Sequence, residues 1–370
     1  MLMCTWEYPA RPSGPFARRR ALQKHKGGVI VQKLTMQDLA DMAGVSRITV
    51  WKVLNNRPGV SSAVRDRVCK AAIECGIPLR DAPAPEGESK KRVFAVAVAR
   101  PESSTFWMQI IHHLAQELSR FGAGLMYIYM PAAYQSGFVL PSSLSPAEIQ
   151  AFVALNVYDA TLLRMLSGCK MPKVFLDTVP ALPVSALQGD LVLLEGRTRT
   201  REITKSLLAS GRTRLGFIGD VNYSQTNCDR YKGFLDAYKE AGLMSDPALS
   251  LTEHLDLHSH YEQIRRFLDA LPALPDGFVC ASDFIASFVR RYFEETGRKA
   301  GERFLITGFD DSREYPNVSG QITTVNVATE ELGKMLARKL MYRADYPDAP
   351  FEVSYVSTQI LYRGPLKKAQ

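Results

Sequence analysis

The sequence contains no run approaching ~18 consecutive apolar residues, which excludes a membrane-spanning helix. It contains no CxxC pair. Six cysteines (4, 69, 75, 169, 228 and 280) are scattered along the chain, as in a reduced cytosolic protein rather than a disulfide scaffold or a zinc ribbon. The basic N-terminus is not followed by an apolar core and a small-residue cleavage site, so no secretory signal is read. There is no GxSxG elbow, no GxxxxGK(S/T) phosphate loop and no HExxH pair. Gly122-Ala-Gly124 and Gly216-Phe-Ile-Gly219 are too fragmentary for dinucleotide binding. The expectation is a protein that is not an enzyme and carries no cofactor.

What is present is a chain of 370 residues, 46% hydrophobic and 23% charged, long enough for about two or three folded units. The formal charge of +8 is unevenly placed. Residues 1–33 carry seven Lys/Arg against Glu7 alone, and residues 34–92 carry ten against seven acids. The remaining 93–370 hold 29 basic and 30 acidic residues. A basic head on a neutral body is the charge distribution of a small nucleic-acid module joined to a larger domain. Residues 1–33 lack hydrophobic periodicity and read as a disordered basic extension. They either follow DNA phosphates or lie outside the functional protein, since Lys26-Gly27-Gly28 is what a ribosome-binding site would encode ahead of a start at Val29 or Val31.

The segment 34–76 has short helical periodicity. Thr35 can cap a first helix with Asp38 three residues on, and Leu39, Ala40 and Ala43 share its apolar face. Gly44 ends that helix, Val45 plugs the turn and Ser46 caps a second helix. There Val50, Val53 and Leu54 face one way, and Arg47, Ile48, Trp51, Lys52 and Asn55 the other. A third helix starts at Ser61 or Ser62, with Val64, Val68, Ala71 and Ala72 inward. This is the helix-turn-helix pattern, whose second helix fits the DNA major groove. Arg47 can meet the two acceptors on a guanine edge, Ile48 a thymine methyl, and Lys52 a base or a phosphate. Thr49, Asn55 and Ser61 suit phosphates.

Residues 77–92 read as a linker, with Pro78, Pro83 and Pro85 and almost nothing apolar. From Val93 onward, short β-branched runs alternate with helix-length segments. Strands are expected at Val93–Ala99, Leu125–Tyr129, Ala151–Leu155, Val174–Leu176, Leu215–Ile218, Phe278–Ala281 and Phe304–Thr307. Helices are expected over Phe106–Phe121, Tyr231–Ala241, Phe284–Thr296 and Glu330–Tyr342. That alternation implies parallel sheets covered on both faces, and its length implies two lobes.

The stretch Leu34–Asn56, continued by Val64–Gly76, resembles the DNA-binding signature of the lactose/galactose-repressor family of bacterial transcription regulators. More loosely, 93–363 resembles that family's periplasmic-binding-protein-like sensor domain. The likeness rests on Ser210–Gly219, the Arg-x-x-Gly-Phe helix Arg230–Leu243, and the strand ends Phe278–Asp283 and Ile306–Asp311. The fold implied is a small all-α helix-turn-helix domain (34–76), a linker (77–92), a two-lobed α/β parallel-sheet domain (93–363) and a tail (364–370). The resemblance implies a homodimer on a pseudo-palindromic double-stranded operator, with a small-molecule effector, often a sugar, held between the lobes. It places base reading at Arg47, Ile48 and Lys52 and backbone contacts at Thr49, Asn55 and Ser61.

Two departures stand out. Trp51 replaces a small hydroxyl residue, and its spacing turns it outward, where it could cover a sugar-phosphate stretch. Prolines 78, 83 and 85, with Asp81, Glu86 and Glu88, occupy the place of the family's minor-groove hinge helix, so no intercalating helix is expected there.

Ligands of parallel sheets gather at the carboxyl ends of strands. That rule selects Ser103, Ser104 and Phe106 after the first strand, Asp283 after a later one, and Asp310 and Asp311 after the last. An arginine fork at Arg230 with a carboxylate can hold vicinal hydroxyls, and Phe106, Trp107 or Tyr223 can cover an apolar face. The effector candidates are therefore Phe106, Tyr223, Arg230, Asp283 and Asp310. The alternative for Arg230 and Asp283 is a structural ion pair or a helix cap. Asp190 stands where the family has an Asp-Asn pair at the start of the second lobe, and is a weaker candidate. The run Glu253, His254, Asp256, His258 and His260 has alternate spacing but no second cluster to complete a metal site, and none is assigned. A transport-type binding protein, or a sensor acting through a co-regulator, would share the body but would not need residues 34–76.

Overall fold

The computed structural model describes residues 35–54, 57, 59–74, 92–100, 102, 104–256, 258–299, 301, 303–366 and 368. They form two compact units, one before residue 89 and one from residue 89 onward. Asn55, Ser103 and the proline-rich 77–91 lie outside the described residues.

The first unit is three helices: α1 Met36–Ala43, α2 Arg47–Leu54 and α3 Ser62–Glu74. Thr35 and Asp38 form a reciprocal capping box, with the Thr35 amide donating to Asp38 at 2.8 Å. Gly44 takes φ 65°, the left-handed turn that lets the chain reverse. Leu39, Ala40, Ala43, Val50, Val53, Val68, Ala71 and Ala72 close a single small core.

The second unit has two lobes. The first lobe contains β1 Val93–Ala99, α4 Thr105–Arg120, β2 Gly124–Met130, β3 Phe152–Leu155, α5 Ala160–Ser167, β4 Lys173–Leu176 and β5 Asp190–Leu194. The chain then passes to α6 Arg197–Ala209, β6 Leu215–Ile218, α7 Gln225–Glu240, α8 His260–Ala270, β7 Gly277–Cys280, α9 Asp283–Thr296, β8 Leu305–Thr307 and β9 Thr324–Asn326. It returns for α10 Thr329–Asp345 and β10 Val353–Val356 and ends with β11 Gln359–Leu361. The first sheet is all parallel in the order β10-β5-β4-β3-β1-β2. The second is parallel β6-β7-β8, with β11 antiparallel to β9 beside it. β1, β3, β4 and β5 are buried on both faces, which explains their unbroken apolar runs.

Helices pack in pairs, α4 with α10 and α6 with α7. The glycine of Arg230-x-x-Gly233-Phe has a packing reason: a Cβ there would lie 2.1 Å from the Arg197 carbonyl of α6.

Two expectations are corrected. Arg230 does not open its helix. α7 starts six residues earlier than Tyr231, because the Ser224 hydroxyl accepts from the Asn227 amide and caps the polar run Gln225–Asn227. Asp190 does not begin the second lobe. It is the first residue of β5, fully buried, and pairs with Arg343 (2.5 Å) and Lys339 (3.3 Å) of α10 while accepting from the Glu352 amide. It is a buried anchor that ties the returning helix to the first sheet.

Candidate nucleic-acid interface and interlobe cleft

On the first unit, α2 divides cleanly. Val50 and Val53 are buried, while Arg47, Ile48 and Trp51 are exposed, Ile48 by 69%. Two large apolar side chains beside an arginine on one short helix are costly to leave in water unless a partner covers them. Thr49 is drawn to the helix start, where its amide and hydroxyl both engage the Ser46 hydroxyl (3.1 and 2.8 Å). Lys52 is half-buried, its Nζ lying close over Gly59. Ser61 is exposed just ahead of α3.

In the second unit a cavity of about 400 Å³ opens between the lobes, at the carboxyl ends of strands from both sheets. Arg100 follows β1, Asn156 follows β3, Asp177 follows β4, Asp220 lies just beyond β6 and Asp310 just beyond β8; all five line it. Among the described residues, five that are not glycine have positive φ: Arg100 (45°), Asn156 (55°), Asp177 (70°), Asp310 (101°) and Asp311 (51°). Four of these face this one cavity. Sparsely populated backbone conformations gathered around one cavity, three of them at Asn or Asp, which enter this region most readily, point to that cavity as the functional site.

One wall is aromatic. Phe106 and Trp107 of α4 meet edge to face at 5.0 Å, Trp107 lies 6.5 Å from Tyr158, and Tyr158 contacts Tyr223 at 4.6 Å. Tyr223 belongs to the second lobe, so this strip bridges the cleft. Phe106 and Tyr223 both line the cavity.

Arg230 is buried in α7. Its guanidinium donates to the Ala281 carbonyl, lies 3.6 Å over the Phe309 ring and is 3.5 Å from Asp310. Its Nε is buried without a hydrogen-bond partner, as is Arg100 Nε. The cleft therefore contains polar donors that an oxygen-rich guest would satisfy. Asp310 faces Arg230, and burial raises its carboxyl above the ordinary range against the pull of that arginine.

Asp283 is placed differently from the expectation. It is the first residue of α9 and is absent from the cavity lining. Its carboxylate accepts from the Ser312 amide (2.8 Å) and the Thr324 hydroxyl (2.7 Å). Burial, reinforced by Asp310, pushes its pKa to about 7. Asp283 thus holds the loop that presents Asp310 and Ser312. Asp311 is turned aside to Arg363 at 2.7 Å.

The lobes are clasped at two points. Glu314 of the second lobe accepts from the Ser104 hydroxyl (3.0 Å) and from the amide and hydroxyl of Thr105 (both 3.1 Å), at the start of α4. On the other side, Thr178 and Asp177 of the first lobe accept from the amides of Gln225 (2.7 Å) and Thr226 (3.3 Å), at the start of α7. Burial pushes Asp177 to about 6.

Sequence reasoning missed Arg100, Asn156, Tyr158, Asp177, Asp220 and Glu314. Asn156, Asp177 and Asp220 follow β3, β4 and β6, so the strand-end rule taken over every strand reaches them. Glu314 had no local signal. Of the histidine run, His260 packs on Phe284 and Phe288 at the cavity edge, and His254 approaches Asp220 at 3.0 Å. Among the described residues no group of three or more His, Cys, Asp or Glu is placed to hold a metal. None of their helices is long and apolar enough to cross a membrane.

A helix-turn-helix head followed by a two-lobed, cleft-bearing parallel-sheet body defines a ligand-responsive DNA-binding regulator. Residues 35–76 match the model of bacterial regulatory proteins of the lacI family, and 204–364 match the periplasmic binding protein-like domain. The HTH-type transcriptional regulator CelR of Thermobifida fusca is 27% identical over 320 residues, covering 84% of this chain and 91% of its own. The solved complex of CelR with cellobiose has TM-score 0.62 at 23% identity and covers 90% of this chain and 99% of its own. The lac repressor dimer bound to operator and the anti-inducer ONPF has TM-score 0.61 at 18% identity, covering 90% and 98%. The chain thus joins a DNA-binding domain of the lacI family of bacterial regulatory proteins to a periplasmic binding protein-like domain, and is an HTH-type transcriptional regulator.

Proposed function

We propose that this protein is a cytoplasmic repressor that binds a pseudo-palindromic operator as a homodimer and is switched by a sugar in the interlobe cleft. The domain limits proposed are 34–76 for the DNA head, 77–92 for the linker and 93–363 for the sensor. Arg47, Ile48 and Lys52 read bases, with Trp51 covering backbone beside them and Thr49, Asn55 and Ser61 holding phosphates. The observation that carries the effector reading is the pairing of an aromatic wall (Phe106, Trp107, Tyr158, Tyr223) with strained, oxygen-seeking strand-end residues. A sugar presents one apolar face to stack and a rim of hydroxyls to bond. The likeness to CelR, solved with cellobiose, and to a family member from Enterococcus faecium solved with ribose, supports the same ligand class.

Glu314 and Asp177 clasp the lobes across the bound guest, so a sugar that bonds both lobes favours the clasped state. Only that differential affinity can shift DNA binding. Asp283 acts indirectly, as a positioning residue for Asp310. The test is a thermal-shift panel of mono- and disaccharides on the full chain, followed by operator anisotropy with and without any sugar that stabilises it. A stabilising sugar that shifts operator affinity, with both effects lost in Asn156→Ala, is expected. If no sugar in the panel stabilises the wild type, the sugar reading falls.

A further inference from the structure

A second cavity, of about 320 Å³, lies in the second lobe between β8, the C-terminal end of α9 and the chain after β11. Its residues are separate from those of the cleft. Three arginines line it, Arg290, Arg298 and Arg363, and no described lining residue is Asp or Glu. Two of the three are partly engaged. Arg298 donates to the carbonyls of Leu268 and Leu271, which end α8, and Arg363 donates to Asp311 at 2.7 Å. Arg290 makes no hydrogen bond or ion pair with any described residue, and its Nε is buried. Thr307 is 1% exposed, and its hydroxyl also has no partner. The half-buried Arg290, with its Nε shut off from water, and the buried Thr307 hydroxyl both line this pocket and both have a polar hydrogen that no described residue accepts. The remaining lining is apolar, chiefly Phe293, Phe304, Ile306, Ile322 and Leu366.

We propose that this cavity binds a small organic anion, a carboxylate or phosphate head on a compact apolar body, at a site independent of the sugar cleft. The head accepts from Arg290 and Thr307, with the field of Arg298 and Arg363 behind it. The body rests on the two phenylalanines. An arginine fork suits either oxyanion, since both offer two coplanar acceptors.

The test is calorimetric titration of the full chain with benzoate, phenyl phosphate, inorganic phosphate and, as an uncharged control, benzyl alcohol. Benzoate or phenyl phosphate is expected to bind. Whichever binds tighter identifies the head, and inorganic phosphate and benzyl alcohol are each expected to bind at least tenfold more weakly. Arg290→Gln and Thr307→Val should each weaken the favoured anion about tenfold, or 1.4 kcal/mol, and Asn156→Ala in the cleft should leave it unchanged. Binding of neither phenyl anion at millimolar concentration overturns the proposal. So does binding that survives Arg290→Gln in a protein whose melting temperature is unaltered, or binding lost in the cleft variant. If Thr307→Val fails to fold, Arg290→Gln alone decides, because Arg290 makes no hydrogen bond or ion pair with a described residue that the substitution would break.

Discussion

Replacing Asp283 with asparagine separates two roles that a buried carboxylate can play. Asp283 is 3% exposed and meets two donors, the Ser312 amide and the Thr324 hydroxyl. Asparagine is isosteric: its oxygen can accept from Ser312, and its amide can donate to the Thr324 oxygen once that hydroxyl rotates. What asparagine removes is the ionisation. Burial and the neighbouring Asp310 raise the folded pKa to about 7 from an ordinary 3.8, so the folded state keeps a proton that the unfolded chain has already released. The stability tied to that proton is complete below the unfolded value and is lost as pH rises through the folded one. About two pK units of the rise lie between pH 5 and pH 7, which at 1.36 kcal/mol each is about 2–3 kcal/mol. Urea unfolding of wild type and Asp283→Asn at pH 5 and pH 8 measures this directly. The variant should gain about 2–3 kcal/mol on the wild type between the two pH values, whereas Asp283→Ala, which orphans both donors, should lose about 2–4 kcal/mol even at pH 5. Parallel pH profiles for wild type and asparagine, or an asparagine variant weaker at pH 8, would refute the account of this side chain.

Arg47→Ala should cost about 1–3 kcal/mol on the operator and relax preference at one base pair per half-site, measured by competitive anisotropy with substituted duplexes. Glu314→Ala removes the acceptor for three donors at the start of α4. Sugar should then leave the cleft several-fold faster in stopped-flow emission from Trp107, while the melting temperature moves by only a few degrees. An unchanged off-rate would remove Glu314 from the clasp. Arg343→Met leaves the fully buried Asp190 with Lys339 as its remaining charged partner and should cost about 3–5 kcal/mol, with much of that restored by adding Asp190→Asn.

Local signals in the sequence were enough for the head. Thr35, Asp38, Gly44 and Ser46 act within a few residues of themselves, and the structure uses each for the turn or cap its chemistry favours. Strand positions were legible for the same reason, because an apolar run buried on both faces leaves its mark in composition. The cleft was half legible. Strand ends locate it, but they do not say which way a side chain turns, and Asp283 is claimed by the Ser312 amide, 29 residues further along. The clasp between Ser104 and Glu314, 210 residues apart, and the pairing of Asp190 with Arg343, 153 apart, depend on topology that no periodicity encodes.

The return of α10 and β10 to the first sheet has a consequence for the order in which the protein is made. The head is complete once residue 74 has been synthesised, but β5 stays an open edge, and Asp190 an unpaired charge, until Arg343 and Val353–Val356 arrive. A growing chain therefore completes a head with its own core long before the sensor that governs it is whole. A chain broken anywhere in its last few dozen residues would keep the reader and lose the switch. Such fragments would carry the DNA-reading helix without the body that answers the ligand, so whether a chain can be switched is decided by its last strands.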